Sequence, residues 1–174
     1  MANIFSSTDS IICCSINFWA GNLSSDTTNT RKVIRSDGTI IFTGKDIRDG
    51  QNVWQSIGGH ELGSIWGHGS YVAPDWSAEW LHREAVFMLN SLSINEYKQP
   101  YDSLTPEKQA YIKVILQKDL RKNTYNANDK SIVISDIRSK AIANNCEYYE
   151  KLFTDDPAFD RLREQYAIKT NTIT

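Results

Sequence analysis

The hydrophobic positions change period along the chain, and the changes mark out its elements. Lys32-Val-Ile-Arg35 and Thr39-Ile-Ile-Phe-Thr43 are short β-prone runs on either side of Ser36-Asp37-Gly38. An Asp-Gly turn between two such runs predicts a hairpin. Thr43 followed three residues later by Asp46 has the form of a capping box. It opens a predicted helix with Ile47, Trp54 and Ile57 on one side, ended by Gly58-Gly59. An irregular stretch runs from there to Pro74-Asp75. Asp75 or Ser77 is then expected to cap a helix, because Trp80, Leu81, Ala85, Met88, Leu89 and Leu92 recur at helical spacing.

The second half has clearer punctuation. Residues 95–103 read as a loop, and Thr105-Pro106-Glu107 as a helix start with proline at the first helical position. That helix is predicted to run to about Lys122, with Ile112, Leu116 and Leu120 on one face and Tyr111 and Ile115 beside them. Residues 123–130 carry turn chemistry throughout, and Ser131–Ser135 is a short extended piece. Asp136 is expected to cap a helix carrying Ile137, Ala141, Tyr148 and Leu152. Asp156-Pro157 restarts a last one with Phe159, Leu162 and Tyr166 inward. The predicted class is mainly α with a small β-hairpin.

Composition changes this picture little. The chain has 174 residues and a formal net charge of -2, with no basic excess, which argues against a nucleic-acid partner. Cys13, Cys14 and Cys146 have neither a disulfide-framework nor a zinc-finger spacing. No run approaches the ~20 apolar residues of a membrane-spanning helix. The most apolar stretch, residues 11–23, is broken by Ser15 and Asn17 and preceded by no basic residue, so it reads poorly as a signal peptide. Residues 1–30 are therefore read as a leader, disordered or a truncated anchor, and 31–174 as one soluble domain.

Candidate chemistry is concentrated between Gly50 and Glu84. Four of the five tryptophans, all three histidines and six of the nine glycines lie there. Bulky aromatics next to glycines imply close backbone packing around something. His60, His68 and His82, with Glu61 or Glu84, are conceivable zinc ligands, but spacings of eight and fourteen residues match no common zinc pattern. The plainer reading is imidazoles hydrogen-bonded within an aromatic core. Asp75, His82, Arg83 and Glu84 form a conceivable acid–base set, yet they fall at a helix start, where acidic caps and Arg–Glu pairs are routine. The glycine-rich GGHELG and GHGSY do not link a strand to a helix as a dinucleotide fingerprint does.

The run WQSIGGHELGSIWGHGSYVAPDWSAEWLHRE from Trp54 to Glu84 resembles the N-terminal extracytoplasmic domain of quinol-dependent nitric oxide reductases, members of the haem–copper oxidase superfamily. The resemblance extends to VIRSDGTIIFTGKDIRDGQ, SIVISDIRSKAI, DDPAF and YAIKTNTI. It implies a cytochrome c-like helical domain lacking haem. A c-type haem needs Cys-x-x-Cys-His. Ser56 stands at the first cysteine position, Gly59 at the second and His60 at the ligand, so covalent attachment is impossible and no cofactor is expected in this chain. Trp54, Trp66, Tyr71 and Trp76 are expected to fill the volume a haem would take.

By the same resemblance the catalytic groups (haem b, haem b3 and non-haem iron) belong to a membrane portion that reduces nitric oxide to nitrous oxide. That portion is the expected partner, on the outer face of the bacterial cytoplasmic membrane, and a homo-oligomer is compatible with the reading. Trp54, Trp66, Tyr71, Pro74, Asp75, Trp76, Trp80 and Arg83 are then packing or docking residues, with no catalytic residue among them. The alternative is a free-standing soluble module of the same fold that binds a small molecule or metal.

Overall fold

The computed structural model describes residues 32–56, 58–70 and 72–168, with His60 described by its backbone alone. The predicted leader over 1–30, and Ile57 and Tyr71, lie outside the described residues. In chain order the elements are β1 (Lys32–Arg35), β2 (Ile40–Thr43), α1 (Gly44–Ser56), α2 (Gly59–Leu62), β3 (Ser64–Ile65), β4 (His68–Gly69) and α3 (Trp76–Tyr97). They continue with a 3-10 turn at Tyr101–Ser103, α4 (Pro106–Arg121), β5 (Tyr125–Asn126), β6 (Ser131–Ile134), α5 (Asp136–Phe153), a 3-10 turn at Pro157–Phe159 and α6 (Asp160–Gln165). The chain is mostly helical with a small sheet, as its pattern predicts.

The hairpin forms as read. Gly38 N–H donates to Arg35 O at 2.8 Å across the turn, and Asp37 accepts from Thr39 N at 2.9 Å. The capping box also forms. Thr43 N–H donates to Asp46 Oδ2 at 2.8 Å while Asp46 N–H donates to Thr43 Oγ1 at 3.2 Å, so each satisfies a donor the helix start leaves open. The pattern does not reveal what β6 does. It lies parallel to β1, from Lys32↔Ser131 to Arg35↔Ile134, and carries β5 antiparallel on its other side. The sheet order is β2-β1-β6-β5.

Four expectations are corrected. Residues 95–97 belong to α3, which ends only where Lys98 turns left-handed at φ 56°. No glycine or proline interrupts the helix before Pro100. Ser93 Oγ then donates to Gln99 O at 2.6 Å and Tyr101 N–H to Asn90 Oδ1 at 3.2 Å, folding the connection back onto the helix. Ser135, one residue before Asp136, is the cap of α5: its hydroxyl accepts from Arg138 N at 3.2 Å. Tyr111 faces solvent, because α4 buries only the Ile112–Leu116 line on the rest of the fold. The last helix is split, its Pro157 turn being 3-10 before α6 begins.

Two apolar clusters result. One gathers Phe42, Ile47, Trp54, Trp76, Trp80, Ile142, Tyr149, Leu152 and Phe153 between the sheet, α1, α3 and α5. The other joins Met88, Leu116 and Ala141, where α4 crosses the far ends of α3 and α5. Burying each large side chain is worth roughly 1.5–3 kcal/mol, so the aromatic-rich first cluster dominates.

Candidate functional site

The Trp/Gly stretch builds its site from the end of α1. Trp54 points inward, and Gly58, in the left-handed region at φ 68°, turns the chain back so that Gly59 passes over the indole. A Cβ at Gly59 would lie 2.2 Å from Trp54 Cε2, well inside contact distance. Gly63 repeats the arrangement: its Cβ would meet Trp76 Nε1 at 2.5 Å and Pro74 O at 2.6 Å. The two indoles meet edge to face at 6.2 Å, and each also meets Phe153, at 6.2 and 5.7 Å. Tyr149 extends the set, stacking on Trp80 at 5.4 Å with planes 9° apart, while Tyr166 stands edge-on to Trp76 at 5.8 Å. The indole N–H groups of Trp54 and Trp76 have no hydrogen-bond partner among the described residues, so ring packing alone holds them.

That geometry bears directly on the degenerate haem motif. Ser56 is exposed and spends its hydroxyl on Val53 O at 2.8 Å. Gly59 has no room for a thiol, because Trp54 stands where its side chain would begin. The side chain of His60 lies outside the described residues. The residues at 56 and 59 therefore do not fit a covalently held haem.

Asp75 organises the next part. Its Oδ1 accepts from Ala78 N at 2.9 Å, capping α3, while its Oδ2 accepts from Ser64 Oγ and Gly67 N, both at 2.7 Å. Ser77 Oγ accepts from Trp66 N at 3.2 Å. The carboxylate thus ties the β3–β4 hairpin to the start of α3. Desolvation pushes the Asp75 carboxyl upward, but the hydrogen bonds from Gly67, Ala78, Ser64 and Ser77 together outweigh it and hold it below the ordinary carboxylate value. Trp66, expected inside, sits at the hairpin tip with φ 52° and 38% of its surface exposed. The inward-facing positions of the stretch are taken by Trp54 and Trp76.

The conceivable acid–base set is not assembled. Glu84, 1% exposed, accepts from Trp80 Nε1 at 3.2 Å and from Arg138 Nε at 2.6 Å, which locks α3 to α5. Asn145 Nδ2 adds a bond to Trp80 O at 3.1 Å. Arg83 turns the other way, donating to Glu79 Oε1 at 2.9 Å and covering the Tyr148 ring at 3.4 Å. His82 is exposed beside a groove of about 560 Å³ between α3 and α5, lined by Arg83, Phe87, Tyr148 and Phe159. His68 is exposed on β4. Among the described residues no three His, Cys, Asp or Glu side chains come together in a way that could hold a metal. Burial raises the phenol of Tyr149 far above its usual range, with the nearby Glu79 charge adding to the effect.

Sequence reasoning missed Tyr149, Phe153 and the Glu84–Arg138 pair. The i, i+3, i+4 recurrence of Ile142, Asn145, Cys146, Tyr149 and Phe153 held the signal for the first two. The ion pair joins residues 54 positions apart and leaves no local trace.

The sequence-family model for the NorB cytochrome c-like domain of nitric oxide reductase matches residues 30–174. A comparison with curated proteins gives no match.

Proposed function

This chain belongs to the NorB cytochrome c-like domain family of nitric oxide reductase, and from that premise we propose that it serves as a haemless, non-catalytic domain of a quinol-dependent nitric oxide reductase. It docks on the outer face of the membrane portion and shapes access to it. The chemistry belongs to that portion: two nitric oxide molecules, two electrons from quinol and two protons give nitrous oxide and water. No step of it is assigned to a residue of this chain.

One observation carries the reading. The Trp54 indole occupies the space that a side chain at Gly59 would need, and Trp54, Trp76, Phe153 and Tyr149 form a closed aromatic body around it. A cytochrome-like domain that packs tryptophan against its former attachment turn has exchanged an electron carrier for a solid core. Such a domain contributes shape and contact. Among the described residues no helix is long and apolar enough to cross a membrane.

Fractionation of the source cells, with an antibody to this domain, tests the proposal. The domain is expected in the membrane fraction, co-purifying with quinol-dependent nitric oxide reduction. Recovery only as a free protein, with no reductase activity attached, would overturn it.

A further inference from the structure

Charge is sorted unevenly along α4 and the turn that follows it. From Ile112 to Asn128 the chain carries four cations, Lys113, Lys118, Arg121 and Lys122, against one acid, Asp119. Asp119 is spent inside the fold, where its Oδ2 accepts from Ser135 Oγ at 2.6 Å. All four cations are exposed. Among the described residues, none of the four reaches a carboxylate. Lysines elsewhere are placed differently: Lys45, Lys140 and Lys151 hold Asp49, Asp136 and Glu147 in turn. A chain with a formal net charge of -2 thus gathers an uncompensated positive face on one helix.

Apolar groups lie inside that face. Ile112 and Leu116 are buried, so the opposite side of α4 points outward. Tyr111, Val114, Lys118 and Arg121 fall there at i, i+3, i+7 and i+10, with Tyr111 and Val114 51% and 47% exposed. The helix dipole favours Lys118 and Arg121 in the last turn. It gives no reason for Lys113 at mid-helix, nor for an aromatic and a valine left among cations. An anionic lipid surface accounts for all of them. Ammonium and guanidinium groups meet headgroup phosphates, while their stems, Tyr111 and Val114 rest against the acyl boundary. An acidic protein epitope is matched by charges held in fixed directions, most often arginine forks. Three of these four cations are lysines, and among the described residues no hydrogen bond orients them.

We propose that the outer face of α4 lies on the anionic phospholipid headgroups of the membrane that holds the reductase. The assignment rests on the membrane reading above and names the surface that meets the lipid beside the docked domain. Charge complementarity selects the occupant.

The test is co-sedimentation of the purified chain with vesicles of phosphatidylcholine alone, or of equal parts phosphatidylcholine and phosphatidylglycerol. Binding is expected to the anionic vesicles only, and to fall steeply with added salt. Lys113→Gln, Lys118→Gln and Arg121→Gln should each weaken it about fivefold, from ~1 kcal/mol per basic residue near an anionic surface. Lys45→Gln, on α1, should leave it unchanged. Equal binding to both vesicles, or unchanged binding of the triple variant, would overturn the proposal. Should the triple variant not fold, salt-insensitive binding by the unaltered chain would overturn it as well. A triple variant that keeps vesicle binding but no longer co-purifies with the reductase would assign the face to a protein and overturn the lipid. The two readings fail differently. A chain that fractionates with the reductase yet ignores anionic vesicles removes the lipid face alone. A chain found in cells apart from any reductase removes the proposed function, and with it the membrane beneath α4.

Discussion

At Gly59 a single hydrogen atom in place of a side chain decides whether Trp54 can lie in the core. Adding one methyl group forces either the helix turn or the indole to move. Gly59→Ala is therefore expected to cost about 1–3 kcal/mol, read as a lower urea midpoint at unchanged slope. An unchanged midpoint would mean the indole is not locked. Asp75 shows the other kind of single-residue control. Its carboxyl has a lower pKa folded than unfolded, so its contribution is present above the ordinary carboxylate value of 3.8 and is lost as pH falls through the lower folded value. Asp75→Asn should flatten the acid limb of the stability–pH curve and lower stability at pH 7. The wild-type and variant curves should converge in strong acid; parallel curves would contradict the bond network. The sequence showed Asp75 as a cap, and the family resemblance set Gly59 against the second cysteine of a haem motif. It could not show that Asp75 also holds Gly67, or that Trp54 covers Gly59, since both need contacts made only after the chain turns.

The helix starts and the hairpin were legible because their signals are local. Thr43 and Asp46 satisfy each other three residues apart, and Thr43→Ala is expected to cost about 1 kcal/mol, checked by thermal denaturation. The β1–β6 pairing was illegible because two four-residue strands far apart in sequence carry no mark of each other. The phase of α5 was half read: Ala141 and Leu152 are buried, but Tyr149 rather than Tyr148 enters the core. Arg83 covers the Tyr148 ring instead, so a surface cation takes the aromatic face that the pattern assigned to the interior. Between α3 and α5 the buried Glu84–Arg138 pair is the costliest contact to break. Glu84→Gln leaves Arg138, only 15% exposed, without its charge partner, and should lower stability by about 3 kcal/mol. Replacing both residues by methionine should recover part of that loss, measured as a double-mutant cycle. A loss no smaller in the double variant than in Glu84→Gln would place the cost in packing rather than in the uncompensated charge.

Across the whole molecule, the aromatic body links α1, α3, α5 and the segment after α6. Burial raises the phenols of Tyr148, Tyr149 and Tyr166 above their ordinary value of 10.0. A group whose pKa rises on folding stabilises fully below its unfolded value and loses that contribution as pH climbs. Stability should therefore fall above pH ~10, as tyrosines of the unfolded chain ionise while the folded ones resist. Alkaline difference absorbance should show the fully buried Tyr149 phenol titrating only with unfolding, and the partly buried Tyr148 and Tyr166 titrating above the ordinary value. The family was legible from the Trp54–Glu84 run because its glycines and tryptophans constrain one another, and residues 30–174 match as a unit. The partly exposed Trp66 was not legible, since a tryptophan between Ile65 and Gly67 reads as core until the turn is seen. The most direct test of the account is a titration of the purified chain with haemin, followed at the Soret band. With tryptophan filling the core against Gly59, no saturable one-to-one complex and no covalent haem should form. A stoichiometric low-spin haem spectrum that disappears with His60→Ala would contradict the central claim and restore the domain as an electron carrier.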